Sequence, residues 1–188
     1  MAEPAAPLLP MFRSKHQMQI LAEVFWGADN STGAELARRT RIPQQTVARE
    51  VARLERAGLL VTKQVGTAKL IQPEQGLPYL TALRQLLAYA GGAIPMLASA
   101  LGDNPAIDEV FIFGSWADRY RGEPGPPPND VDVAVVSESL TRFDLAEERM
   151  NLEQDSKLSI NLFVFDGENE RLPALRAAGV PVFERQFA

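Results

Sequence analysis

The chain has 188 residues with a formal net charge of -5, 46% hydrophobic and 23% charged, so it is an ordinary globular composition with length for one large or two small domains. The charge is uneven: residues 1–76 hold ten Lys/Arg against seven Asp/Glu, +3, and residues 77–188 hold nine against seventeen, -8, which points to two modules with different partners. The absence of cysteine excludes disulfides, Cys-based zinc sites and thiol nucleophiles, and the single histidine, His16, argues against a Ser–His–Asp hydrolase and is expected to have no role.

In chain order, Met1–Pro10 is small and Pro-rich and reads as a flexible leader, without the basic-then-apolar order of a signal peptide. Ser14–Trp26 places Met18, Leu21, Val24 and Phe25 at helical spacing. Thr32-Gly33-Ala34-Glu35 matches a capping box that opens a short helix to about Thr40. Pro43 then starts a third helix to Ala57, stopped by Gly58. Along that helix Val47, Val51 and Leu54 form an apolar stripe, and Arg49, Arg53 and Arg56 repeat the spacing two residues later as a basic stripe. Gln44, Gln45 and Thr46 occupy the first turn, where polar groups of a recognition helix meet base edges. Leu59–Val65 and Ala68–Gln72 flank Gly66-Thr67 as a hairpin, with Lys63 and Lys69 beside the tip.

Three helices followed by a basic-flanked hairpin resemble a winged helix-turn-helix of the kind found in bacterial transcriptional regulators. The resemblance spans residues 14–75 and implies double-stranded DNA as a partner. Gln44, Gln45 and Thr46 are the candidates for base contacts, and Arg49, Arg53, Lys63 and Lys69 for phosphate contacts. The same pattern is open to a protein-only role in which the arginines are a solvated helix face.

Residues 76–104 read as a helical connector. Leu80, Leu83, Leu86 and Leu87 form an apolar stripe, and Gly91-Gly92 separates it from a second helix, Ile94–Leu101. Such a surface needs a cover, either the second module or a twin chain, and a homodimer is the expectation. The uncharged run Gln85–Leu101 is short and broken by Gly91-Gly92 and Pro95, so no membrane span is expected and the location is expected to be cytoplasmic.

In the third segment, residues 105–188, Val110–Phe113 is an apolar strand followed by Gly114-Ser115, small residues whose amides suit an anion. After a Pro-rich loop, Asp130 and Asp132 alternate with Val131 and Val133, which puts both carboxylates on one strand face. Such a pair calls for a cationic offset, and Mg²⁺ or Mn²⁺ suits oxygen ligands. Leu158–Phe165 is a further strand, Leu172–Ala178 a helix, and Gly179–Phe187 a final strand. Trp116 and Tyr120 suit either base stacking or packing, and Arg119 and Arg121 either phosphates or solvent.

An apolar residue, Gly-Ser, a loop and Asp-apolar-Asp-apolar, here Phe113, Gly114, Ser115, Asp130, Val131, Asp132 and Val133, resemble the nucleotidyltransferase superfamily in its minimal, antitoxin-type branch. The two resemblances together imply an α+β chain, with an N-terminal winged helix-turn-helix and a C-terminal small nucleotidyltransferase-fold α/β domain. The second further implies that Gly114 and Ser115 hold nucleoside triphosphate phosphates and that Asp130 and Asp132 are catalytic metal ligands. Two departures stand out: a long Pro-rich loop, and Asn161 where active members often carry a third carboxylate. Asparagine offers a carbonyl ligand but no base. A regulator that binds nucleotide, metal or a partner protein, an active enzyme transferring a nucleotide to a partner such as a toxin, and a structural antitoxin all remain open at this level.

Overall fold

The computed structural model describes residues 11–27, 31–125, 128, 130–156 and 158–185, with the side chains of 155 and 156 outside the description. The expected leader and the last residues of the expected final strand, through Phe187, lie outside the described residues. The chain divides into two compact units, Met1–Gly92 and Ala93–Ala188.

The first unit contains α1 (Lys15–Trp26), β1 (Ser31–Thr32), α2 (Gly33–Thr40), α3 (Gln44–Arg56), β2 (Leu60–Val65), β3 (Ala68–Pro73) and α4 (Leu80–Gly91). Each boundary has a local cause. Ser14 caps α1 through its hydroxyl, which accepts from the Gln17 amide at 3.1 Å. The capping box forms as expected: Thr32 Oγ1 accepts from the Glu35 amide at 3.3 Å, and Glu35 Oε2 accepts from the Thr32 amide at 2.8 Å. Helix α3 closes in a Schellman arrangement, with Gly58 at φ +72, its amide on the Glu55 carbonyl and the Leu59 amide on the Leu54 carbonyl, both at 3.0 Å. Val65 pairs with Ala68 across Gly66-Thr67, and a positive φ at Gly66 but not at Thr67 makes this a type II′ turn. Ser31 and Thr32 add a short third strand against Ile71 and Leu70, giving the order β1-β3-β2. This is a winged helix-turn-helix whose core is built from Ile20, Leu21, Phe25, Leu36, Val47, Leu54 and Leu60.

The Glu35 carboxyl is held below its ordinary 4.5, first by the Thr32 backbone amide and then by the Thr32 hydroxyl. The stabilisation from a lowered carboxylate is present above 4.5 and lost as pH falls through the lowered value. In Thr32→Ala, urea unfolding is expected to show a lower stability at pH 7 and a shallower loss between pH 5 and 3, about the range over which such a carboxylate takes up its proton. Parallel acid profiles for wild type and variant would contradict this assignment.

The stretch read as a connector is divided between the two units. Helix α4 packs on α1, burying Leu87, Ala88 and Ala90, and the Trp26 indole donates to the Arg84 carbonyl at 2.8 Å. Of the apolar stripe, Leu87 is buried, Leu80 and Leu83 are half-buried and Leu86 is exposed, as are Tyr79 and Tyr89 beside it.

The second unit contains α5 (Ala93–Leu101), β4 (Glu109–Phe113), α6 (Gly114–Arg121), β5 (Asp130–Val136), α7 (Ala146–Ser156), β6 (Ser159–Phe165), α8 (Leu172–Ala178) and β7 (Val180–Glu184). Its mixed sheet has the order β6-β5-β4-β7, antiparallel except for the parallel pair β5–β6, which α7 connects. Val131, Val133 and Ile160 face one side, together with buried Leu97, Leu101 and Leu152 of the helices. On the other side Phe111, Ala134 and Val136 pack beneath Leu172 of α8, with Phe113, Phe165 and Leu175 around them. The four residues Val133–Val136 are all buried, as the continuous apolar run at the end of β5 predicts. Two polar ties brace this unit: the Arg176 guanidinium donates to both Glu109 oxygens at 2.5–3.0 Å, and Arg185 donates to the Gly102, Asn104 and Ile107 carbonyls just beyond α5. The Glu109 hydrogen bonds hold the Arg176 pKa above its ordinary value.

Candidate functional sites

In the first unit the N-terminal turn of α3 points outward: Gln44, Gln45 and Arg49 are exposed and Thr46 is half-buried. The Arg49 guanidinium reaches Thr46 Oγ1 at 3.4 Å, a long contact that leaves its charge available. Lys63 and Lys69 are exposed on the wing. The basic face is not uniform, because two acids enter it. Glu50 occupies the i+3 slot of the buried stripe that starts at Val47; it is 6% exposed and accepts from both Arg13 and, at 3.3 Å, Arg53. Glu55 accepts from the Thr62 hydroxyl and lies 3.8 Å from Lys69 Nζ. Arg56 donates to the Ala52 carbonyl of its own helix at 3.3 Å. Arg53 and Lys69 thus share their charge with acids of the same face, whereas Arg49 and Lys63 form no ion pair among the described residues.

In the second unit the Gly-Ser turn and the acidic pair meet at one end of the sheet. Asp132 lies opposite Phe113 on β4 and opposite Asn161 on β6, so the register brings Gly114, Asp132 and Asn161 side by side. Gly114 has φ +69, which favours glycine, and a Cβ there would stand 2.6 Å from Asp132 Oδ2, so a side chain would oblige that carboxylate end to turn aside. Gly114 and Ser115 are exposed, and no side chain caps the first turn of α6. Asp130, Asp132 and Asn161 are all half-buried.

A side-chain amide faces the two acids. Asn161 Nδ2 donates to Asp130 Oδ2 at 3.1 Å and to Asp132 Oδ1 at 2.9 Å, so one amide group bridges both carboxylates. This amide contact stands beside the expectation of a cation at the pair. Among the described residues no group of three or more His, Cys, Asp or Glu is placed to hold a metal ion. The set around the pair is two carboxylates and one amide, all able to present oxygen. This fits Mg²⁺ or Mn²⁺, which commonly take one or two carboxylates and complete their shell with water and phosphate oxygens.

Neighbouring candidates resolve differently. Trp116 is 1% exposed and stacks on Tyr120 at 5.8 Å, so its ring is part of the core and is not open to a base. Arg119 donates to the Glu123 carbonyl, and Arg121 to Asp118 and the Ala178 carbonyl, so both are held by local partners. Asp166, the next carboxylate after Asn161 in the chain, follows the end of β6 and is exposed. His16 is exposed on α1.

Residues 15–69 match a family model described as the MarR family. That MarR-like segment runs from α1 into β3 and covers less than a third of the chain. A solved structure from Sulfolobus solfataricus, carrying a provisional nucleotidyltransferase name, is similar at 21% identity over 49% of this chain and 77% of that chain, with a TM-score of 0.32. Comparison with curated proteins finds no match. No described helix is long and apolar enough to cross a membrane.

Proposed function

We propose that this chain is a cytoplasmic DNA-binding transcriptional regulator, acting as a homodimer, whose second unit binds a nucleotide with a divalent cation or a partner protein. The observation that carries the reading is the exposed row Gln44, Gln45 and Arg49 on α3 beside a wing bearing Lys63, within a winged helix-turn-helix that matches a MarR family model. The dimer is supported by Tyr79, Leu86 and Tyr89, which stand exposed on or beside α4. Binding of double-stranded DNA, followed by fluorescence anisotropy over a salt series, is expected to weaken steeply as salt rises. Absence of binding to any duplex at low salt would remove this reading.

In the second unit, the Gly114 and Ser115 amides are suited to nucleoside triphosphate phosphates, and Asp130 and Asp132 to Mg²⁺ or Mn²⁺, with the Asn161 carbonyl as a further ligand. When bound, such a cation polarises a phosphoryl oxygen. Asp130 and Asp132 fix the position of positive charge, and Gly114 lets phosphate approach without a side chain in the way. Asn161 holds no charge and takes no proton at physiological pH, so the site is poor in general-base capacity.

A second reading, an active Mg²⁺-dependent nucleotidyltransferase with an attached DNA-binding unit, is favoured by the register that sets the Gly114 turn beside Asp132. Incubation with labelled nucleoside triphosphates, Mg²⁺ and candidate protein acceptors distinguishes the two. Label transfer lost in Asp132→Asn supports the enzyme, and a complete absence of transfer alongside nucleotide binding supports the regulator.

A further inference from the structure

Asp130 and Asp132 lie on one face of β5, two residues apart and both directed at the same amide nitrogen. Two carboxylates at this separation repel, and half-burial removes part of the water that would screen them. An N–H bonded to each of them provides the favourable charge–dipole contact that otherwise only a cation gives. An asparagine side chain has two ends: Nδ2 donates and Oδ1 accepts. A cation drawn to Asp130 Oδ2 and Asp132 Oδ1 competes with Nδ2, which is bonded to those two oxygens and presents the positive end of an N–H to the ion. With the amide turned by half a revolution, Oδ1 faces the acids, which is unfavourable beside two anions and favourable only when a cation lies between them.

We infer that Asn161 is a two-position latch on the acidic pair, bridging Asp130 and Asp132 through Nδ2 when no cation is bound and turning Oδ1 inward when one is. Asn161 is thereby a positioning residue that sets how tightly the site takes a divalent ion, and the inference rests on the assignment of that site to Mg²⁺ or Mn²⁺. The bridge competes with the ion, so wild-type binding is weak, and the site fills when nucleotide phosphate adds further oxygen ligands. The chain then responds to a metal–nucleotide pair in preference to free metal.

Three measurements on the full chain test this. Calorimetric titration with Mn²⁺ alone is expected to give an affinity in Asn161→Asp at least about tenfold above wild type, since a third carboxylate replaces a competing donor. Asn161→Ala, which removes the bridging donor and the carbonyl together, is expected to melt lower than wild type without metal and to bind Mn²⁺ less tightly than Asn161→Asp. In wild type, the Asn161 side-chain amide resonances, assigned by their absence from Asn161→Ala, are expected to shift as Mg²⁺ saturates the site in the presence of a non-hydrolysable nucleoside triphosphate. Wild-type affinity equal to that of Asn161→Asp, or saturation with those resonances unmoved, overturns the latch while leaving the metal site standing. No Mn²⁺ binding in any of the three proteins overturns both.

Discussion

Replacing Arg49 and Lys63 together by alanine is expected to weaken binding of double-stranded DNA by about ten- to a hundredfold at physiological salt, with the loss spread evenly over sequences. The log–log salt slope is expected to fall by about 0.9 for each phosphate contact removed. The two residues are chosen by their surroundings. Arg49 lies one turn from the exposed Gln44 and Gln45, with only the long Thr46 contact, and Lys63 stands on the wing without an ion pair among the described residues. Arg53 differs, because its guanidinium already faces Glu50, and an ion pair formed within the protein reduces what is gained at a phosphate. Arg53→Ala is therefore expected to move the slope less than Arg49→Ala, although the two residues are neighbours on one helix face. Anisotropy titrations between about 50 and 200 mM salt check the order. Equal slopes for the two single variants would show that the Glu50 pairing gives way when DNA is bound.

Gln44→Ala and Gln45→Ala probe a separate quantity. Their side chains are placed to read bases, so a loss there would be confined to particular sequences and would leave the salt slope nearly unchanged. The contrast between a uniform and a sequence-dependent loss separates a DNA reader from a generally basic surface.

What the sequence reveals and what it hides follow the range of the forces involved. The Ser14 cap, the Thr32–Glu35 box, the Gly58 termination and the Gly66 turn are each written in a few adjacent residues, and each forms at its expected place. Glu50 was hidden although its position was not: it falls in the i+3 slot of the Val47, Val51, Leu54 stripe, and an acid in a buried slot requires cationic partners. One of them, Arg13, comes from 37 positions away, which no periodicity announces. Strand β1 is two residues long and exists only because β3 passes beside it. Helix α7 carries no apolar stripe for periodicity to show, since Leu152 is buried while Met150 is exposed. At the acidic pair, the shared face of Asp130 and Asp132 followed from strand alternation. The Asn161 bridge depends on a parallel register across β5 and β6, set by the whole sheet.

Gly114→Ala is expected to lower the stability of the second unit by about 2–4 kcal/mol, the largest single-residue loss anticipated at the site. Two costs combine. A residue with a Cβ held at φ +69 is strained by about 1–2 kcal/mol. The new methyl would also stand 2.6 Å from Asp132 Oδ2, so the carboxylate end turns aside, and weakening of the 2.9 Å bond that Oδ1 accepts from Asn161 would add up to about 1–2 kcal/mol. Gly33→Ala is the matched control, because a Cβ there meets nothing within 4 Å and its backbone is not in the left-handed region. It is expected to leave stability unchanged or slightly raised. Scanning calorimetry reads both variants, and a second cycle isolates the carboxylate contribution. If the clash is with Asp132, Gly114→Ala is expected to cost less in an Asp132→Ala background than in wild type, because the methyl then has room and the Asn161 bond is already gone. Additive losses would assign the whole effect to the backbone and detach the glycine from the acidic pair. Non-additive losses would tie the phosphate-facing turn to the carboxylates energetically, as a site in which both act on one ligand requires.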